Sequence, residues 1–246
     1  MRYHPRFAAT VVCCLIASTC LAVGADETEP AGDGKSTALF DGKSVDGWKQ
    51  CGPGKFNVVD GVLVSEGGMG MLWYAGKEFS DFTLKLQYKV EDKRDNAGVF
   101  VRFPDPGNDP FVAVNKGHEV QIQEGDGGKN TTGAIYNFKD ADAQNAKPPG
   151  EWNDYEIKVV GNVYTMHING KQVNEFTSPD RPLKGYIGLQ NHDPKSVVRF
   201  RDISIIEHSS ETSPASKESA KPQAGGRRKS STDQSRRRDD DGQRDC

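Results

Sequence analysis

Cysteine is scarce in this chain of 246 residues, and three of the five thiols, Cys13, Cys14 and Cys20, crowd near its start. Cys51 and Cys246 lie far apart, so no disulfide framework supports the fold. Only one stretch, residues 7–25, runs as long as 19 residues without a charge, and the mean hydropathy is −0.70, which excludes a protein built from many membrane-spanning helices. A three-turn amphipathic helical pattern is missing throughout. Excess charge of one sign is small, with 32 Lys and Arg against 35 Asp and Glu. Because residues 1–25 and 211–246 each carry a surplus of two positive charges, the region between them has a net charge of −7. An acidic globule repels polyanions, which argues against nucleic acid as its partner.

Glycine, in contrast, is plentiful: 27 residues, against a usual share of about 7%. A turn-rich β protein is the expected consequence. Residues 37–208 alternate apolar and polar positions with β-branched and aromatic side chains, punctuated by glycine. Phe82, Leu84, Leu86, Tyr88 and Val90 share one face of a strand. Asp60-Gly61, Gly161-Asn162 and Asn169-Gly170 each separate two such runs and predict hairpins. Many short strands without intervening helices predict an all-β, antiparallel sandwich or jelly roll.

The ends have a different composition. Basic Met1 to Arg6, a mostly apolar run to Val23 and the small residues Val23-Gly24-Ala25 form the pattern of an export signal cut near Ala25. Ala17-Ser18-Thr19 before Cys20 fits a lipidation site poorly. The expected organisation is a signal peptide over 1–25, a linker over 26–36, one folded domain over 37–208 and a disordered charged tail over 209–246. Such a chain is periplasmic or secreted, with no integral membrane span after signal removal.

In a sandwich one face of each strand enters the core and the other meets water. In His118 to Glu124, Val120 and Ile122 point inward, placing Glu119, Gln121 and Gln123 on the opposite face. In Gly98 to Phe103, Val99, Val101 and Phe103 form the inward set, and Phe100 and Arg102 project outward. In Ile187 to His192, Ile187 and Leu189 point inward, with Gln190 and His192 outward. One curved sheet would then present amides, a guanidinium, a carboxylate and a ring together, groups suited to sugar hydroxyls and proton transfer. Trp48, Trp73 and Trp152 read equally as sugar-stacking platforms or buried anchors.

Several segments, in order, resemble one family. They are Ala38-Leu39-Phe40-Asp41-Gly42-Lys43 with Gly47-Trp48, Phe82-Thr83-Leu84-Lys85-Leu86, and Asn96-Ala97-Gly98-Val99-Phe100-Val101-Arg102. Glu119-Val120-Gln121-Ile122-Gln123-Glu124, Thr132-Gly133-Ala134-Ile135-Tyr136, Pro149-Gly150-Glu151-Trp152-Asn153 and Gly188-Leu189-Gln190-Asn191-His192 follow. The set resembles the 3-keto-disaccharide hydrolase domain, also described as a 3-keto-glucoside 1,2-lyase/2-hydroxy-3-keto-glucal hydratase, over about residues 37–207. The resemblance implies an exported bacterial protein with a concanavalin A-like, antiparallel two-sheet jelly roll, which removes the C2 proton of a 3-keto sugar, eliminates the glycosidic group and rehydrates the enone.

The same resemblance implies roles. Glu119 and His192 form the proton-transfer pair, either one being the base, and Arg102 clamps the oxyanion. Asn96, Gln121 and Gln190 read hydroxyls, with Phe100 and Trp73 as apolar contacts. Glu124 is a candidate second base or divalent-metal ligand; no other cofactor is implied. The partner is an oligosaccharide or 3-keto-glycoside. Two rival readings share the fold. A non-catalytic carbohydrate-binding module needs only the amide and aromatic platform. A laminarinase-like retaining β-glucanase resembles Glu-x-Asp-x-x-Glu, of which Glu119-x-Gln121-x-x-Glu124 lacks the central acid.

Overall fold

Thirteen strands and one short helix account for the regular structure of the computed structural model, which describes residues 34–124 and 130–209. The export signal, most of the linker, residues 125–129 and the tail beyond residue 209 lie outside the described residues. Among those described, no helix is long and apolar enough to cross a membrane.

Local signals made the strands. Asp60-Gly61 joins β3 (Lys55–Val59) to β4 (Val62–Glu66), and both turn residues have positive φ, 50° and 81°. Asn169-Gly170 joins β10 (Val163–Ile168) to β11 (Lys171–Thr177) in the same way, with φ of 50° and 78°. Two positive φ values match the right-handed twist of the flanking strands, which is why Asn-Gly and Asp-Gly favour this turn. β6 (Phe82–Val90) alternates as its sequence implies, with Phe82, Leu84, Leu86, Tyr88 and Val90 buried.

The larger sheet runs β11-β10-β9-β6-β13-β4-β3, where β9 is Asn153–Val160 and β13 is Val198–Glu207, and β1 (Ser36–Ala38) pairs with β13. The smaller sheet has the order β2-β5-β12-β7-β8. Its strands are β2 (Trp48–Cys51), β5 (Gly70–Tyr74), β12 (Tyr186–Asn191), β7 (Ala97–Phe103) and β8 (His118–Ile122). All strand pairs are antiparallel, and the two sheets pack face to face as a sandwich. The apolar core between them unites Leu72, Val99, Val101, Val120, Ile122, Ile187 and Leu189 of the small sheet with the β6, β9, β10 and β13 inward faces.

Every residue of β7 is buried, which a strand with one solvent face would not show. The reason is a second apolar cluster on the outer side of the small sheet. There Met71, Trp73, Phe100 and Phe103 pack with Cys51 and with Ala113 of α1 (Phe111–Lys116). The helix and the loop before it roof one part of that outer face. The rest stays open.

Strict alternation along β7 fails at Arg102. This residue has φ 55°, and the register with β12 shifts so that Phe103 opposes Tyr186 while Val101 opposes Ile187. The extra residue of this bulge reverses the parity beyond it. Phe103 therefore joins Phe100 outside, and Arg102 turns inward, opposite to the alternation expected from sequence.

Candidate active site

The open part of the small sheet's outer face forms the floor of a cleft of about 460 Å³. Alternation places its side chains. Glu119 and Gln121 come from β8, Gln190 from β12 and Asn96 from the residue preceding β7, while Gln123 and His192 follow the ends of β8 and β12. Five of the nine residues expected from sequence, Asn96, Glu119, Gln121, Gln190 and His192, thus line one cavity. Met69, Phe111, Val114, Asn130 and Tyr136 also line it and were not anticipated. Phe111 and Val114 had a signal, since Phe111-Val112-Ala113-Val114 is an apolar run bounded by Pro110 and Gly117. Tyr136 had none.

Glu119 is the centre of the floor. It lies across Gly98, where an added Cβ would stand 2.8 Å from both Cγ and Oε1 of Glu119. The missing side chain makes the slot in which this carboxyl rests. Gln121, oriented to suit the surrounding acceptors, donates from Nε2 to Glu119 Oε1 at 3.2 Å and to the Ala97 carbonyl at 3.1 Å. Gln190 hydrogen-bonds to the same carboxyl. Only 4% of Glu119 is exposed, and burial pushes its pKa up to about 8 despite the Gln190 bond, which acts the other way. Near neutral pH the group is a carboxylic acid able to give a proton.

His192 stands at the exposed rim. Its Nδ1 lies 3.0 Å from Asp193 Oδ2. Burial would raise Asp193, but hydrogen bonds from His192, Ser196 Oγ and the Lys195 and Ser196 backbone N–H groups prevail and hold it at about 2. A permanent carboxylate on Nδ1 favours the tautomer with its proton there and leaves Nε2 as the acceptor. Ser196 Oγ also accepts the Asn96 backbone N–H at 2.9 Å, tying the two cleft residues to one anchor.

Three buried acceptors in this cleft, Asn96 Oδ1, Gln123 Oε1 and Gln190 Oε1, have no hydrogen-bond partner. A buried orphan of this kind costs about 1–3 kcal/mol. All three belong to residues that line one cavity. A second depression of about 410 Å³ on the outer face of the large sheet differs. There Lys85 pairs with Glu156 at 3.0 Å and Gln87 donates to Asp154 at 2.7 Å, and one buried side-chain atom, His167 Nδ1, lacks a hydrogen-bond partner.

The remaining four expected residues lie elsewhere. Arg102 is fully buried and donates to the carbonyls of Ser80 and Gly161 and to Asp81 Oδ1, with Tyr164 5.6 Å away. The bulge at φ 55° carries it into the sandwich, where it cannot reach the cleft as an oxyanion clamp. Phe100 and Trp73 are on the correct face but sealed in the cluster with Ala113, and Trp73 stacks edge-on to Tyr186 at 4.8 Å. Glu124 Oε1 accepts from Tyr88 Oη at 2.7 Å and Thr132 Oγ1 at 3.0 Å, away from the cleft lining. No group of three or more His, Cys, Asp or Glu side chains among the described residues converges to hold a metal. Glu124 is not among the described residues lining the cleft that holds Glu119, so the two acids do not face each other across it as the carboxyl pair of a retaining glucanase would.

The family described as 3-keto-alpha-glucoside-1,2-lyase-like domain matches residues 35–206. A 3-keto-disaccharide hydrolase of Bacteroides thetaiotaomicron is 29% identical over 225 residues, spanning 68% of this chain and 76% of its own length. One structure from Parabacteroides distasonis, described provisionally as a glycosyl hydrolase, has a TM-score of 0.61 at 22% identity, covering 71% of this chain and 94% of its own. A second from the same organism, described alike, has a TM-score of 0.58 at 28% identity, covering 70% and 98%. The carbohydrate-binding module CBM66 of Bacillus subtilis shares the fold at 12% identity, with a TM-score of 0.51 and coverage of 65% and 96%.

Proposed function

Because the chain belongs to the family of 3-keto-alpha-glucoside-1,2-lyase-like domains, we propose that it is an exported enzyme cleaving 3-keto-disaccharides or related 3-keto-glycosides by elimination and hydration. The observation that carries the reading is the coincidence in one cleft of a protonated Glu119 and three unpartnered amide acceptors. Sugar hydroxyls satisfy the acceptors. The acid serves the leaving group.

The ketone at C3 acidifies the hydrogen at C2. His192 Nε2 takes that proton, and the adjacent Asp193 carboxylate stabilises the imidazolium that results. Negative charge moves to the C3 oxygen, where amide N–H groups of the floor, those of Asn96 and Gln123, are the available donors. The C1–O bond breaks as Glu119 gives its proton to the departing glycosidic oxygen, leaving an enone. Water then attacks C1 and returns a proton to the Glu119 carboxylate, while protonated His192 restores the C2 hydrogen. The net result is hydrolysis, with both residues regenerated.

Gln121 holds Glu119, and Gln190, Asn96 and Gln123 read hydroxyls. Export to the periplasm or beyond is supported by the basic, apolar and small-residue pattern of residues 1–25. The test is incubation of purified protein with a 3-keto-disaccharide and with its unoxidised parent. Cleavage of the oxidised sugar alone agrees with the proposal. Cleavage of both, or binding of the oxidised sugar without turnover, overturns it.

A further inference from the structure

The geometry points to a second, apolar lobe of the cleft that receives the leaving group and selects flat aromatic aglycones; the assignment of that occupant rests on the glycoside-cleaving reading above. A cavity of about 440 Å³ adjoins the polar cleft and shares two of its walls, Met69 and Phe111. Gly52, Pro53, Asn108 and Pro110 form the rest of it with Asp109. Phe111 is 54% exposed at the seam between the two spaces, whereas Trp73, Phe100 and Phe103 of this face are buried. An aromatic ring left in water at such a junction is available for stacking.

The two halves differ in what they lack. Three acceptors await donors on the polar side. On the apolar side Asn108 Oδ1 already accepts the Gly52 N–H at 3.0 Å, and Asp109 Oδ1 accepts the Phe111 N–H at 3.0 Å. The lobe's other walls, Pro53, Met69, Pro110 and Phe111, are apolar. It is also preformed. Gly52 has φ 80°, and a Cβ there would stand 3.0 Å from Pro110 Cγ and from the Met69 carbonyl oxygen, so the loop before α1 packs closely on the β2–β3 turn. A glycoside is a hydroxylated ring joined to a leaving group, and an aryl aglycone divides its polarity as this double cavity does.

The test uses 4-nitrophenyl and methyl glucosides of one anomeric configuration, with binding measured calorimetrically on the unoxidised pair and turnover on their 3-keto forms. The wild-type protein is expected to bind the aryl compound at least tenfold more tightly than the methyl compound. Phe111→Ala should bring the two within about threefold, and Phe111→Trp should preserve the preference. Phe111 is exposed, so neither change threatens folding. Equal affinities in the wild type, absence of binding, or a preference untouched by Phe111→Ala would overturn the lobe. Retained aryl preference without turnover of either 3-keto form leaves the lobe standing and sinks the catalytic reading instead.

Discussion

The carboxyl of Glu119 lies in the space that a side chain at Gly98 would fill, its Cγ and Oε1 2.8 Å from where that Cβ would be. The neighbour that must give way is the movable end of Glu119 and not the backbone. Gly98→Ala is therefore expected to fold normally while pushing the carboxyl off its Gln121 and Gln190 contacts. A displacement of this size costs about 100-fold in kcat/KM. Unchanged turnover by Gly98→Ala, measured beside an unchanged melting curve, contradicts the role given to Glu119.

Burial of Glu119 has a thermodynamic consequence of definite sign. Its pKa rises from 4.5 to about 8 on folding, so between these values the folded chain keeps a proton that the unfolded chain loses. Stability contributed by this group is full below about pH 4.5 and declines as pH rises toward 8. Glu119→Gln removes the burden, and at pH 7 is expected to stabilise by on the order of 3 kcal/mol, with no gain at pH 4. Denaturant titrations at the two pH values check this. The same protonation sets activity: kcat/KM should fall above about pH 8 as the acid ionises.

Asp193 is already ionised at any working pH, since its carboxyl is held at about 2. Asp193→Asn is expected to leave KM nearly unchanged and lower kcat by about tenfold or more, because the imidazolium of His192 loses its counter-charge. A larger change in KM than in kcat, read from steady-state kinetics, would assign Asp193 to binding.

Arg102 separates a structural role from a catalytic one. Its guanidinium bridges Ser80, Gly161 and Asp81 at full burial. Arg102→Met leaves Asp81 and two carbonyls short of a partner, and a loss of about 3–5 kcal/mol in unfolding free energy is expected. Wild-type stability combined with lost turnover would restore Arg102 to the cleft.

These residues also show how far the sequence could be read. Period-2 alternation and the Asp-Gly and Asn-Gly turns were enough for the sandwich, because local pattern and buried faces agree there. Glu119, Gln121 and Gln190 were legible for the same reason: β8 and β12 keep their parity up to the cleft. Arg102 was not, since nothing in Gly98 to Phe103 marks a residue at positive φ, and one extra residue sends every later side chain to the other face. Phe100 was given the right face but the wrong exposure, and Trp73, open in the sequence between a stacking platform and a buried anchor, is the anchor, because the roof over both comes from α1, elsewhere in the chain. Phe111 and Tyr136 reach the cleft from connections outside the strands, whose paths alternation does not encode.

The most direct measurement follows a 3-keto-disaccharide and the enone formed from it, using wild-type protein and Glu119→Gln. The wild type should release free sugar with transient enone, and leave the unoxidised disaccharide intact. Glu119→Gln, still folded, should lose at least about 100-fold in release of the leaving group while C2 proton exchange with solvent deuterium persists through His192. Full cleavage by Glu119→Gln would contradict the account.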